Sequence, residues 1–325
     1  MNRRKIISKI QRRAFEGFFQ GLAFAADYSK RQKKAQKICS VTNNASYCRD
    51  SHPARTLDIY RRLDKDGPMP VLLYIHGGGF TLCSKETHRA IARAYAYYGG
   101  FVVFNMDYRL APRHPYPAAI EDACLAYEWV VANAPRFGGD ASRIVVAGES
   151  AGGNLALALS VAATHKRPEA FAQRAWDTGI APRAALILCG LLQVSDPARF
   201  SDRHPGLTGP MLPWSLQTVS DVSRAYLGRA YKEKSEVPGL ADPLLILEAD
   251  AAFDRPFPSV FAMVGTRDIL LDDTKRLEQA LIKKNVDHLA RYYDGEGHAF
   301  QAIPWRRQAM NFWRDNFEFL AQRMK

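Results

Sequence analysis

The stretch VVAGESAGGNLALAL, Val145 to Leu159, changes character at its centre. The residues before Gly148 are β-branched and apolar, which suits a strand, whereas those after Ser150 are rich in leucine and alanine, which suits a helix. Between them stands Gly148-Glu149-Ser150-Ala151-Gly152. A serine on a sharp strand-to-helix turn has its hydroxyl pushed clear of the sheet, and glycines are needed two positions either side because side chains there would collide. A helix starting at Ala151 turns its first N–H groups and the positive end of its dipole toward that hydroxyl. Such a site favours an oxyanion.

Outward from this turn, short apolar runs alternate with helix-period segments from about residue 56. The strand candidates are TLDIYRRL, VLLYIH, FVVFNMD, RIVVAGES, AALILCG, SVFAMVG and LARYYDG, and helical periods lie around 86–98, 117–133, 151–164, 273–284 and 305–323. Apolar strands separated by helices indicate a mostly parallel sheet joined by right-handed crossovers, an α/β layer fold. Two regions stand outside the alternation. Residues 1–45 read as helix, and residues 191–250 are irregular, with the Pro/Gly-rich SDRHPGLTGPMLPW ahead of a helical SLQTVSDVSRAYLG. Both are candidates for covering the active edge of the sheet.

At 325 residues and 47% hydrophobic content, the chain can bury a large core in one domain or in one domain with an appendage. The net charge of +12 is concentrated at the start, where residues 1–50 hold twelve Lys/Arg against three Asp/Glu. No zinc finger, aromatic-interleaved RNA motif or heptad run accompanies that charge, so nucleic acid is not expected as a partner. Plotted as a helix, Ile6, Ile7, Ile10, Ala14, Phe15, Phe18 and Leu22 fill one half, and Lys5, Lys9, Arg12, Arg13 and Glu16 fill the other. Part of a cap is the favoured role for such a helix, ahead of peripheral contact with an anionic membrane and of packing remote from the pocket. Lys9, Arg12 and Arg13 interrupt the apolar run before a signal peptide could form, and no window approaches the ~18 apolar residues of a span. The five cysteines are odd in number, with no C-x-x-C, which fits a reducing compartment and a cytoplasmic location.

The run VLLYIHGGGF leads a strand into His76-Gly77-Gly78-Gly79. In an acyl-transfer site such a loop supplies N–H donors to the carbonyl oxygen that becomes negative in the tetrahedral intermediate. Gly77 and Gly78 are the expected donors, joined by the N–H of Ala151. The spacing matches neither phosphate-binding glycine pattern. A nucleophilic serine needs a base, and the base needs an orienting carboxylate. Asp268 follows the strand SVFAMVG and His298 follows LARYYDG, so both loops share the sheet edge with Ser150.

The blocks HGGGF, DYRLAPRHPYPAAIEDA, GESAGGNLA, GTRDILLDD and GEGHAF together resemble the hormone-sensitive lipase family of α/β-hydrolase esterases, over roughly residues 55–323. The resemblance implies an α/β-hydrolase fold with a helical cap, in which 51–190 and 241–325 form the catalytic domain and 1–50 and 191–240 the cap segments. It implies a serine carboxylesterase for short- to medium-chain esters, with Ser150 as nucleophile, His298 as base, Asp268 as its partner, and no metal or cofactor. His76, Gly79, Gly148, Glu149 and Gly152 support the loop and turn, His76 by hydrogen bonding. Two departures stand out: Glu149 where aspartate is commoner, and DILLDD where DPLRDE is more usual, which brings Asp272 forward as a rival to Asp268. Asp107, Tyr108 and Arg109 are expected to form a paired internal brace, and His88 and His114 to be scaffold. Glu121 and Asp122 are adjacent on a helix and face different ways, which argues against a glycosidase pair. The rival functions are an amide hydrolase and a binding protein like the plant gibberellin receptors, which have lost the catalytic histidine that His298 supplies here. A small-molecule ester is the expected partner, and a homodimer is left open.

Overall fold

In a computed structural model, which describes residues 30–50, 52–201, 211–233, 239–303 and 305–324 with Gly17, Gln20 and Gly21, the apolar runs form one eight-stranded sheet. The amphipathic pattern at residues 5–22 lies outside the described residues except at Gly17, Gln20 and Gly21. The strands are β1 (Cys39–Ser46), β2 (Thr56–Arg62), β3 (Met69–Ile75), β4 (Val102–Met106), β5 (Gly139–Glu149), β6 (Ala184–Leu188), β7 (Ser259–Gly265) and β8 (His288–Tyr293). Their order is β1-β2-β4-β3-β5-β6-β7-β8. β2 runs antiparallel to β1 and β4, and every other pairing is parallel.

Period-2 alternation sends neighbouring residues of the central strands to opposite faces. Val71, Leu73, Ile75, Ile144 and Val146 pack on one side with α3 (Ala118–Asn133), α4 (Ala151–Thr164) and α9 (Leu271–Lys283). Leu72, Tyr74, Val145 and Ala147 pack on the other with α2 (Arg89–Gly99) and α10 (Arg307–Arg323). With both faces covered, the inner strands carry almost no polar residues, as parallel sheets require.

β1 corrects the expected helix over 1–45. The helix there, α1 (Lys30–Ile38), ends at Ile38, and the chain enters the sheet at Cys39. The sheet therefore begins before residue 51, the expected start of the catalytic domain. In residues 191–250 the expected helix SLQTVSDVSRAYLG is α6 (Met211–Leu227), and the region is otherwise more regular than expected: α7 (Arg229–Glu233) and α8 (Pro243–Glu248) also fall within it, and Leu191, Leu192 and Val194 are buried in the α4 core. A further short helix, α5 (Ala170–Asp177), precedes β6. Among the described residues no helix is long and apolar enough to cross a membrane.

The registers decide where the loops meet. Ile75 pairs with Gly148, Glu149 with Leu188, and Leu188 with Met263. The loops after β3, β5, β6 and β7 thus leave the sheet side by side at its carboxyl edge, where open α/β sheets form their crevices.

Candidate active site

Ser150 sits between β5 and α4 at φ 56°, ψ −115°, a backbone region that residues with side chains rarely occupy. Its N–H donates to Leu188 O at 2.8 Å and its carbonyl accepts from Asn154 N at 3.2 Å. A Cβ on Gly148 would lie 2.1 Å from Gly152 O, and one on Gly152 would lie 2.1 Å from Ile75 O. No side chain fits at either position, and the close approach holds β3 against the turn.

The HGGG loop closes over the same turn. A Cβ on Gly77 would stand 3.4 Å from Ser150 Cβ, and Gly78, at φ +110°, accepts from Thr81 N and Leu82 N, both at 3.1 Å. His76 is buried, its Nδ1–H donates to Gly77 O at 2.7 Å, and its ring stacks on Tyr108 at 4.3 Å. Burial, followed by the neighbouring His88, pushes the His76 pKa down to about 3, so the ring is neutral and braces the loop. Above the loop lies α6: a Cβ on Gly79 would come within 2.7 Å of Val222 Cγ2, and Tyr226 stacks on Phe80 with centroids 3.7 Å apart.

Asp268 and His298 arrive from the next strands. Asp268 is buried just past β7, where Oδ1 accepts from Leu270 N at 2.9 Å and Oδ2 lies 2.8 Å from His298 Nδ1. His298 Nε2 lies 3.0 Å from Ser150 Oγ. A Cβ on Gly265, the last residue of β7, would meet Glu296 O at 2.2 Å, so the two loops are packed backbone to backbone. Burial acts most strongly and against a charged imidazole, but the Asp268 carboxylate and the neighbouring Cys189 together outweigh it and hold the His298 pKa well above the ordinary histidine value. Asp272, the rival carboxylate, stands in the first turn of α9, and it is Asp268 that the fold sets against His298.

Residues 72–302 match the family model of the alpha/beta hydrolase fold. The chain belongs to the α/β-hydrolase family. All five motif blocks fall inside the match, and within the family this hydrolase is of the hormone-sensitive lipase type. It is similar to carboxylesterase NlhH of Mycobacterium tuberculosis, 51% identical over 28% of this chain and 29% of the relative, and to esterase LipI of the same organism, 37% identical over 50% and 54%. The matched regions thus span less than two thirds of those relatives. Among solved structures it is similar to a hyperthermophilic esterase from the archaeon Pyrobaculum calidifontis, at 25% identity over 98% of this chain and 96% of that one, with a TM-score of 0.71.

The hydrolase surrounds these groups with residues that the motif reading passed over. Cys189, directly after β6, is buried at φ 40° with its N–H bonded to Met263 O at 2.7 Å, and its Sγ lies within 4.8 Å of ligand atoms of both Asp268 and His298. Its position at the carboxyl end of the strand next to β5 was the available signal. Gln301 Nε2 donates to Glu149 Oε2 at 2.5 Å, and His88 Nε2 stands 3.5 Å from Glu149 Oε1. Asp273 is fully buried against Arg199, at 2.8 Å, and Leu192 N, at 2.7 Å.

The expected brace divides in two. Arg109 pairs with Asp122 at 2.9 Å and with Glu121 at 2.8 Å, so one guanidinium takes both acids. Asp107 instead accepts from Lys85 N at 2.7 Å, and burial raises its pKa to about 6. The Lys85 ammonium is itself buried, 3.1 Å from Asp58. Tyr108 donates its hydroxyl hydrogen to His76 O at 3.0 Å. His114 packs edge-on against His52.

Proposed function

We propose that this α/β-hydrolase is a carboxylic ester hydrolase acting through Ser150, His298 and Asp268. The observation that carries the reading is the chain of hydrogen-bond distances from Ser150 Oγ to His298 Nε2 (3.0 Å) and from His298 Nδ1 to Asp268 Oδ2 (2.8 Å). Ser150 attacks the ester carbonyl as His298 takes its proton. Asp268 keeps the other ring proton on Nδ1 and stabilises the imidazolium that forms. The N–H groups of Gly77, Gly78 and Ala151 receive the oxyanion, aided by the positive end of the α4 dipole. The proton then passes from His298 to the departing alcohol, which leaves Ser150 acylated. Water, deprotonated by the same histidine, releases the acid.

Residues 191–240 serve as a cap in this reading, since α6 lies over Gly79 and Phe80 and forms a wall for the acyl group. We assign the substrate to short- and medium-chain esters and the location to the cytoplasm; none of the five cysteines is joined in a disulfide, which suits a reducing compartment.

A fluorophosphonate probe together with a p-nitrophenyl ester series from acetate to decanoate tests the reading. Labelling at Ser150 with turnover that falls at long chains is expected. Labelling without turnover of any ester redirects the assignment to amides. Neither labelling nor turnover leaves a binding protein.

A further inference from the structure

The proposed mechanism uses His298 and Asp268 but gives no task to the thiol beside them. Cys189 is 1% exposed and held at φ 40°, and its Sγ, a ring nitrogen of His298 and a carboxylate oxygen of Asp268 all lie within 4.8 Å of one another. Among the described residues this is the one group of three or more His, Cys, Asp or Glu side chains with ligand atoms gathered so closely.

One thiolate, one imidazole and one carboxylate are a donor set that suits a borderline-soft divalent cation. Bond lengths of about 2.0–2.3 Å at tetrahedral angles place such donors about 3.3–3.6 Å apart. The three side chains are already within a rotamer adjustment of that spacing. The site is also reachable, because the His298 side chain is 33% exposed although Asp268 and Cys189 are buried.

We propose that Cys189, Asp268 and His298 bind Zn²⁺, or its analogue Cd²⁺, and that the bound ion switches off the pairing of Ser150 with His298. The ion takes a lone pair from sulfur, nitrogen and oxygen, and the thiol proton leaves to solvent, so binding tightens as pH rises. Whichever ring nitrogen is taken, the base is lost. An ion on Nε2 occupies the position that must accept the serine proton. An ion on Nδ1 forces the remaining ring proton onto Nε2, with the same result. Inhibition rests on the reading of His298 as base, whereas ion binding does not.

The test titrates Cd²⁺ into the full chain while following the ultraviolet charge-transfer band of cadmium thiolate and, in parallel, fluorophosphonate labelling of Ser150. A band that saturates at one ion per chain while labelling falls at least about tenfold is expected, with chelator abolishing the band and restoring the labelling. Cys189→Ser should lose the band and need at least about ten times more Cd²⁺ for the same loss of labelling. His298→Ala, which keeps the thiol, should weaken the band's affinity by a similar factor, so the outcome does not depend on how Cys189→Ser folds. A band that survives Cys189→Ser belongs to another cysteine and overturns the site, as does no band at all or one that leaves labelling of Ser150 unchanged. Should the metal-free chain fail to label, the esterase reading fails separately, and the band still decides the site.

Discussion

Glu149 Oε2 accepts a hydrogen bond from Gln301 Nε2 at 2.5 Å, with both side chains buried. Glu149 immediately precedes the serine turn and Gln301 lies just past His298, so this bond ties together the two loops whose separation sets the Ser150–His298 distance. Aspartate, one methylene shorter, would not reach from the same backbone position.

The link predicts the behaviour of Gln301→Ala. A buried carboxyl group deprived of its donor costs about 1–3 kcal/mol, which should lower Tm by several degrees. Because the loop carrying His298 is released, kcat should fall with little change in KM. Thermal unfolding and ester kinetics on the variant check both, and wild-type values for both would show that the bond positions nothing.

Gly152→Ala is predicted to be far worse, although it adds only a methyl group. The new Cβ would be placed 2.1 Å from Ile75 O and 2.6 Å from His76 O, backbone atoms that cannot rotate away. Overpacking of this kind costs about 1–3 kcal/mol or more, and here it pushes β3 from β5. Soluble expression and denaturant unfolding provide the measurement, with Gly100→Ala as a poor comparison because its φ of +71° brings backbone strain instead. Gly17→Ala is a better control, since nothing among the described residues lies within 4 Å of its Cβ position.

The pH dependence follows from the raised pKa of His298. Burial opposes the charged ring, and Asp268, with Cys189 beside it, more than compensates. As a base His298 must be neutral, so kcat/KM should rise with pH through an apparent pKa above the ordinary ~6.5. The linkage to stability runs the other way. A raised folded-state pKa contributes stability that is complete below ~6.5 and is lost as pH climbs through the raised value. Activity should therefore increase over a range where Tm declines. Asp268→Asn should shift the kinetic midpoint downward and reduce kcat on the order of 10⁴ through the wrong ring tautomer. Rate profiles and melting curves over the same buffers would reveal parallel slopes if the assignment were mistaken.

How much of this was readable in the chain depended on how local the determinant was. The turn at Ser150 and the HGGG loop are set by steric limits within a few residues, so their glycines announce them. Seven strands were equally plain: β3 to β7 are built on apolar runs buried on both faces, and β2 and β8, though partly in solvent, keep the aliphatic and aromatic residues of a strand. β1 escaped because it is an edge strand with most of its residues in solvent and few apolar side chains, and its alternation breaks at a register shift between Thr42 and Ala45, where Asn44 adopts φ 55°. Asp107 pairing with Lys85 rather than Arg109, and Cys189 standing beside His298, are products of tertiary approach between distant strands. No spacing rule in the sequence encodes them.

The contact between α6 and the HGGG loop yields the last prediction. Tyr226 is fully buried with its ring stacked on Phe80 at 3.7 Å and 10°, while its backbone carbonyl accepts from Tyr116 N at 2.7 Å. Its hydroxyl oxygen is buried with no hydrogen-bond partner among the described residues. An unsatisfied buried hydroxyl costs free energy that the isosteric ring does not, so Tyr226→Phe should leave Tm unchanged or raise it, with kinetics intact. Tyr226→Ala removes the ring itself, costing about 3–5 kcal/mol for an aromatic cavity, and frees Phe80, which holds φ 56° directly after the glycines. The loop would then sample positions in which Gly77 and Gly78 no longer face the oxyanion, so kcat should drop together with Tm. A Tyr226→Phe variant markedly less stable than wild type would mean that the hydroxyl has a partner, a bound water for example. A Tyr226→Ala variant with undiminished kcat would mean that α6 covers the loop without holding it.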